Sequence, residues 1–109
     1  MKYLIKFYTI TLFTLALSFS SNASDKIKIG LVIPLTGENQ NLGESVLKSV
    51  RLAINDINDD RIIIIPKDNR NDPDQTLVVS KELYDEGVKI IIGPIFKKNS
   101  LKLNQLNND

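Results

Sequence analysis

The stretch KIKIGLVIP, residues 26–34, decides the fold of this chain. It begins with alternating lysine and isoleucine and becomes a continuous apolar run that ends at a proline. Such a run is typical of a strand that is buried on both faces, as in a parallel sheet covered by helices. The residues that follow, 36–41 (TGENQN), are rich in turn formers and predict a loop.

An amphipathic helix is predicted after this loop. Asn41 and Glu44 have the spacing of a capping box, and the helix is expected to end near Asp59. One face of this helix is apolar. It carries Leu42, Val46, Val50, Ala53, Ile54 and Ile57.

A second strand and a second helix follow. Residues 61–67 contain four consecutive isoleucines, and the strand is expected to end at Pro66 because proline has no N–H for pairing. Residues 72–75 (DPDQ) predict a helix start, with Asp as the cap and Pro in the first helical position. Gly87 is expected in the left-handed conformation that ends this helix. The inward face of the helix is expected to hold Thr76, Val79, Ser80 and Leu83.

Residues 88–92 (VKIII) predict a third strand, and Asn99 or Ser100 is expected to cap a third helix that carries Leu101, Leu103 and Leu106. The order β-α-β-α-β-α with short loops predicts an α/β fold with three parallel strands and right-handed crossovers. This is the start of a doubly wound domain, in which all three strands are expected to be buried on both faces.

Three strands are few for a sheet of this kind, which usually has about four to six. An isoleucine-rich edge would remain open, and native proteins cover such edges. We therefore expect residues 24–109 to be a partial lobe, from a truncated product or a longer protein. The alternative is an oligomer that pairs the open edge. A cooperative, monomeric unfolding transition of residues 24–109 would contradict the first expectation.

Residues 1–23 are predicted to be a secretory signal peptide. Two lysines precede an apolar run at 7–19 (FYTITLFTLALSF), and small residues at 20–23 (SSNA) allow cleavage after Ala23. A helix over the apolar run would span only about 20 Å of a hydrocarbon core of about 30 Å. An uncleaved anchor and a buried helix are the remaining alternatives. Cleavage leaves 12 basic and 13 acidic residues and predicts a periplasmic or secreted protein without a stable membrane anchor.

Composition excludes several kinds of site. The 109 residues include no cysteine and no histidine, and the net charge is +1. Disulfides, thiolate or imidazole metal sites, lipid attachment at a cysteine and Ser-His-Asp catalysis are therefore excluded. The near-neutral charge gives no electrostatic case for nucleic acid. The phosphate-binding loop and the dinucleotide fingerprint are both absent, so no cofactor is expected. Asp56, Asp59 and Asp60 are predicted to be a solvated helix end.

Open α/β sheets bind ligands beyond the carboxyl ends of their strands. We call the loops that follow the three strands the rim. Structural alternatives exist for its members: a turn at Thr36, an Asx-turn at Asp68, packing under the third helix for Phe96, and a solvated pair for Lys97 with Lys98. The predicted rim side chains are Thr36, Asp68, Phe96, Lys97 and Asn99.

Three segments carry a family resemblance. Residues 27–37 (IKIGLVIPLTG), then 42–44 (LGE), then the helix end at 53–58 (AINDIN) resemble the N-terminal lobe of type I periplasmic binding proteins. The leucine/isoleucine/valine receptors of ABC transporters are the nearest named group. The later segments agree in order, with Asp68 after the second strand and GVKIIIGP at 87–94. The resemblance covers about residues 26–106.

The resemblance implies part of a two-lobed receptor that closes over an amino acid or related small polar ligand and serves an ABC permease. It implies no enzymatic activity. In amino-acid receptors a serine hydroxyl after the third strand binds the ligand carboxylate, and that position is Lys97 here. Lys97 can attract an anion as a point charge. An aromatic position of the first loop falls on Leu42. The implied ligand-binding residues are Thr36, Leu42, Asp68, Phe96 and Lys97.

Two further stretches, 64–68 (IIPKD) and 93–96 (GPIF), are also similar to the penicillin-binding-protein activators. In that group the lobe is a protein-interaction module of peptidoglycan synthesis. The alternative partner is then a cell-wall synthase. The absent lipid-attachment cysteine departs from the lipoprotein members of the group. An enzyme is the third hypothesis, and no catalytic pair of residues supports it.

Overall fold

The computed structural model describes residues 1–4 and 25–107. The predicted β-α-β-α-β-α order is confirmed. The predicted signal peptide, residues 1–23, and its cleavage site fall almost entirely outside the described residues, so both stay predictions. The elements are β1 (Ile27–Ile33), α1 (Gln40–Ile57), β2 (Ile62–Asp68), α2 (Pro73–Asp85), β3 (Ile90–Ile92), α3 (Lys97–Leu103) and a 3₁₀ helix (Asn104–Asn107).

The three strands form one parallel sheet in the order β2-β1-β3. Ile27 of β1 lies opposite Ile62 of β2, and Ile29 lies opposite Ile90 of β3. The step from β1 to β2 and the step from β2 to β3 run in opposite directions across the sheet. Right-handed crossovers therefore place α1 and α2 on opposite faces. The predicted start of a doubly wound fold is confirmed.

The apolar core lies between the sheet and α2. It contains Val32 of β1, Val79 and Leu83 of α2, and Val88. The predicted inward face of α2 is confirmed, since its buried residues are Thr76, Val79, Ser80 and Leu83. Gly30 faces the same layer, and a Cβ there would lie 2.6 Å from Cδ1 of Leu83. A side chain at this position would require the Leu83 side chain to move.

The outer strands are less buried than predicted. Leu31, Val32 and Ile33 of β1 have no exposed surface, whereas Ile63 of β2 is 38% exposed and Ile90 of β3 is 53% exposed. Among the described residues, only the central strand has a neighbouring strand on each side. The prediction of double burial is correct for the carboxyl half of β1 and wrong for β2 and β3.

The second strand does not end at Pro66 as predicted. β2 continues to Asp68, and Pro66 lies in register opposite Leu31. Within the described sheet β2 has a partner on one side only, and an edge strand tolerates a proline because every second N–H points away from the partner. The predicted limit was wrong because it assumed a strand paired on both sides.

The start of α2 agrees with its sequence signals. The Asp72 carboxylate accepts a hydrogen bond from the Gln75 N–H at 2.7 Å, and Pro73 occupies the first helical turn. Its end agrees as well, with Gly87 at φ 82°. The Val88 N–H donates to the Leu83 carbonyl oxygen at 3.0 Å, which closes the helix. This bond belongs to the helix end, and β3 begins at Ile90 rather than at residue 88.

The capping predictions for the other two helices were wrong. α1 begins at Gln40, one residue before the predicted cap, and Asn39 precedes it without a side-chain capping bond. The Gln40 side chain reaches Glu44 instead, at 2.8 Å. α3 begins at Lys97, so Asn99 lies inside the helix and is fully buried.

The apolar face of α1 is only partly covered. Gly43 is its one buried residue, while Leu42 is 43% and Ile57 is 60% exposed. A Cβ at Gly43 would overlap the carbonyl oxygen of Pro34. The helix therefore packs on the end of β1 through a glycine contact. No helix in residues 1–4 and 25–107 has both the length and the apolar character needed to cross a membrane.

Candidate functional site

The loops after β1 and β2 are joined by one carboxylate at the rim. Asp68, the last residue of β2, accepts hydrogen bonds from the Leu35 N–H at 2.8 Å and from the Thr36 hydroxyl at 2.6 Å. It also accepts from the Arg70 N–H at 2.9 Å, which is the predicted Asx-turn. The structure thus brings together Thr36 and Asp68, two of the predicted rim residues.

These contacts determine the charge state of Asp68. Partial burial raises the pKa of its carboxyl group, but the hydrogen bonds from Thr36, Leu35 and Arg70, with the Arg70 charge, outweigh burial. The pKa of Asp68 therefore lies below its usual value of 3.8. Both carboxylate oxygens are already hydrogen-bonded within the protein. The observed role of Asp68 is to hold two rim loops together, and its role toward a ligand stays a prediction.

A group of polar side chains beneath the rim was largely missed by sequence analysis. The Asn99 amide donates to the side-chain oxygen of Asn71 at 2.9 Å, and the Asn69 amide donates to the Thr76 hydroxyl at 3.0 Å. The Asn71 N–H donates to the Asn69 side chain at 3.1 Å. We call these four residues the asparagine network. A weak signal was available, because the loop DNRND requires residues that accept positive φ, and Arg70 and Asn71 both adopt it.

The loop after β3 approaches β1 closely. Gly93 has φ 106°, and a Cβ there would overlap the carbonyl oxygen of Val32. Phe96 is half-buried, and Lys97 and Lys98 are exposed. Within residues 1–4 and 25–107, the Lys97 side chain makes no hydrogen bond or ion pair. Leu42, in the first turns of α1, is 43% exposed at the same end of the sheet. The topology thus places all five predicted residues at one end, although a direct contact joins only Thr36 and Asp68.

A separate open cleft of about 290 Å³ lies at the amino ends of the strands. Arg61 binds the Asp59 carboxylate at 2.6 Å, and its hydrogen bonds lower the pKa of Asp59 to about 2. In the part of the chain that the structure describes, no acidic, histidine or cysteine side chains cluster as metal ligands. Because the cleft lies at the amino ends of the strands, it is at the opposite end of the sheet from the rim. It is lined by Ile54, Asn55, Asn58, Asp59, Asp60 and Ile62.

Comparison with known proteins agrees with this geometry. Residues 26–108 match the family model described as periplasmic binding protein. The chain is similar to the Leu/Ile/Val-binding protein homolog 1 of Brucella abortus, with 31% identity over 83 residues. That match covers 71% of this chain and 22% of the relative.

Solved structures show the same fold. A solute-binding protein of an ABC transporter from Rhodopseudomonas palustris, in complex with 3,4-dihydroxybenzoic acid, is 28% identical with a TM-score of 0.71. The match covers 76% of this chain and 24% of that one. An ABC transporter substrate-binding protein from Sphaerobacter thermophilus has a TM-score of 0.71 at 21% identity, covering 75% of this chain and 24% of that one. The chain spans about a quarter of the length of the relatives it matches.

Proposed function

The chain belongs to the periplasmic binding protein family, and we propose that it forms part of an extracytoplasmic solute receptor that delivers a small ligand to an ABC permease. One observation carries the proposal. The loops that follow the parallel strands converge at a single rim, where Thr36 and Asp68 are hydrogen-bonded, in a fold shared with a solute-binding protein crystallised with its ligand.

The ligand class is a small carboxylic acid, including the amino acids. One relative is named for binding leucine, isoleucine and valine, and the other was crystallised with 3,4-dihydroxybenzoic acid. Each of these ligands carries a carboxylate. Lys97 is exposed on the rim and offers a positive charge for such a group. Leu42, partly exposed at the same end of the sheet, supports an apolar portion in the ligand.

The predicted signal peptide over residues 1–23 is consistent with this function. The proposed order of events is cleavage after Ala23, folding outside the cytoplasm, and capture of ligand between this rim and an opposing lobe. Mass spectrometry of the exported chain tests the first step, since a mature N-terminus at Ser24 is expected. An N-terminus at Met1 on the exported chain would contradict it. The alternative function, an activator of a cell-wall synthase, receives no support from the comparisons.

A titration with paired ligands tests the proposed site. The ¹⁵N-labelled chain is titrated with leucine and benzoate, each beside a counterpart that lacks the carboxylate, leucinamide or benzyl alcohol. We expect the amide signals of Thr36 and Lys97 to shift with the acids only, and Lys97→Met to abolish the effect.

Affinity should be weaker than micromolar, because the opposing lobe supplies most of a clamshell pocket. The proposal would be contradicted by equal amide shifts with the acids and with the counterparts that lack a carboxylate. Shifts confined to the cleft beside Asp59 would contradict it as well. Micromolar binding by residues 24–109 alone would contradict the requirement for a second lobe.

A further inference from the structure

We propose that Asn99, through its hydrogen bond to Asn71, is the positioning residue that fixes α3 and thereby holds Lys97 at its place on the rim. Its functional meaning rests on the proposed function above. Lys97 is the first residue of α3, and Asn99 lies two positions later in the same helix. Any movement of Asn99 therefore moves Lys97 with it.

The geometry of the asparagine network supports this role. Asn99 has no exposed surface, and its amide donates to Asn71, which is 28 positions earlier in the chain. Asn71 is itself held by Asn69, which is fully buried and bonded to Thr76. The Thr76 hydroxyl donates to the Asp72 carbonyl oxygen at 2.7 Å, at the start of α2. An unbroken series of hydrogen bonds thus connects α3 to the first turn of α2.

α3 packs on α2, and among its polar side-chain contacts the Asn99–Asn71 bond is the buried one. The helix has seven residues, and isolated helices shorter than about 12 residues are marginal in water. Its ion pair, from Lys102 to Asp74 at 2.8 Å, involves an Asp74 side chain that is 82% exposed, and exposed pairs stabilise proteins little. Leu101 is 56% exposed. The fully buried member of α3 is Asn99.

Because Asn99 is buried, loss of its bond to Asn71 is unfavourable. The side-chain oxygen of Asn99 is buried without a hydrogen-bond partner among the described residues. Loss of the bond to Asn71 would leave the whole amide group unsatisfied inside the protein, which is unfavourable. Positions of α3 that bury Asn99 away from Asn71 are therefore disfavoured, and the backbone of Lys97 is held in place with the helix.

Two substitutions at Asn71 separate the side-chain bond from backbone strain. Asn71 has φ 54°, a conformation that glycine and aspartate also accept. Asn71→Gly removes the acceptor, whereas Asn71→Asp keeps it. Asn99→Ala removes the bond from the other side and serves as a second variant. The effects of Asn71→Gly and Asn99→Ala should not add in the double variant, because both substitutions remove the same interaction.

Amide hydrogen exchange on the full chain measures the outcome without any ligand. We expect exchange in α3 to become at least tenfold faster in Asn71→Gly and Asn99→Ala, while Asn71→Asp stays within about twofold of the unmodified chain. Protection of β1 and α2 should be unchanged. Equal exchange of α3 in all variants, or equal loss of protection across β1, α2 and α3, would overturn the proposal.

The paired-ligand titration supplies the second readout. In Asn71→Gly we expect the carboxylate-dependent shift at Lys97 to be lost, while the Thr36–Asp68 contact remains. A loosened α3 with an unchanged Lys97 response would overturn the positioning role. If the unmodified chain itself shows no carboxylate response, the proposed function fails, and the exchange result still decides whether Asn99 fixes α3.

Discussion

Replacement of Asp68 by alanine should loosen the junction between β1 and β2. The substitution removes the acceptor for Leu35, Thr36 and Arg70. The Leu35 N–H is partly buried, and a buried donor left without its partner costs about 1–3 kcal/mol. The other two donors are exposed and can bond to water, so each loss costs about 0.5–1 kcal/mol. We expect a loss of about 2–5 kcal/mol in the free energy of unfolding.

Two matched variants resolve the contributions. Asp68→Asn keeps one oxygen for the Leu35 and Arg70 N–H groups but loses the charge and the second oxygen, which accepts from Thr36, so it should cost about 1 kcal/mol. Thr36→Val removes only the exposed hydroxyl bond and should cost less than about 1 kcal/mol. The order of stability should therefore be Thr36→Val at or above Asp68→Asn, and both above Asp68→Ala.

Urea unfolding, followed by circular dichroism at pH 7, measures these differences on the complete lobe to which residues 24–109 are expected to belong. For small domains the dependence on urea is about 1–3 kcal/mol/M, so each 1 kcal/mol of destabilisation lowers the midpoint by about 0.3–1 M. The slope itself should not change. If Asp68→Ala is no less stable than Thr36→Val, the carboxylate does not hold the two loops together. If Asp68→Asn is as unstable as Asp68→Ala, a neutral oxygen does not replace the carboxylate as acceptor for Leu35 and Arg70.

Further predictions concern pH, packing and capping. The pKa of Asp68 is lowered in the folded state, so the stabilisation that its carboxylate provides is present above the unfolded pKa of about 3.9 and is lost as pH falls through the folded pKa. Urea midpoints measured from pH 7 to pH 2 should show this loss of stability. In Asp68→Asn the loss should be smaller. Gly43→Ala should cost about 1–3 kcal/mol in the packing of α1 on β1, offset by about 1 kcal/mol of helix propensity. The control Ser45→Ala, at an exposed position of the same helix, should be neutral or slightly stabilising. Equal thermal midpoints of the two variants would show that the close contact of α1 with β1 is unimportant. Asp72→Ala should cost about 1 kcal/mol through the lost bond to Gln75, measured by thermal unfolding, and Asp72→Asn should recover most of it.

Local signals in the sequence predicted α2 almost completely. Asp72 and Gly87 define its ends through bonds to residues within five positions, and the spacing of Thr76, Val79 and Leu83 defines its buried face. These signals depend on the helix itself. The predictions that failed depended on neighbours, since Pro66 is tolerated only because β2 is paired on one side.

The site was predicted in part for the same reason. The rule that strand ends meet at one edge placed Thr36 beside Asp68, and the structure shows their hydrogen bond. Asn99 was expected at a helix start, whereas it is buried against Asn71, 28 positions away. An asparagine in a polar loop looks solvated in the sequence. Only the packing of α3 on α2 shows that its amide lies inside the protein.

The central position of β1 sets the order in which this part of the chain can fold. β1 is synthesised first, but its partners come 35 residues later, with Ile27 beside Ile62, and 61 residues later, with Ile29 beside Ile90. Parallel pairing at such separations is slow, because each loop must close before the contacts form. Of the three described strands, β1 is therefore the one that waits longest for a partner during synthesis. Residues 27–61 are all made before β2, the first strand partner of β1, exists.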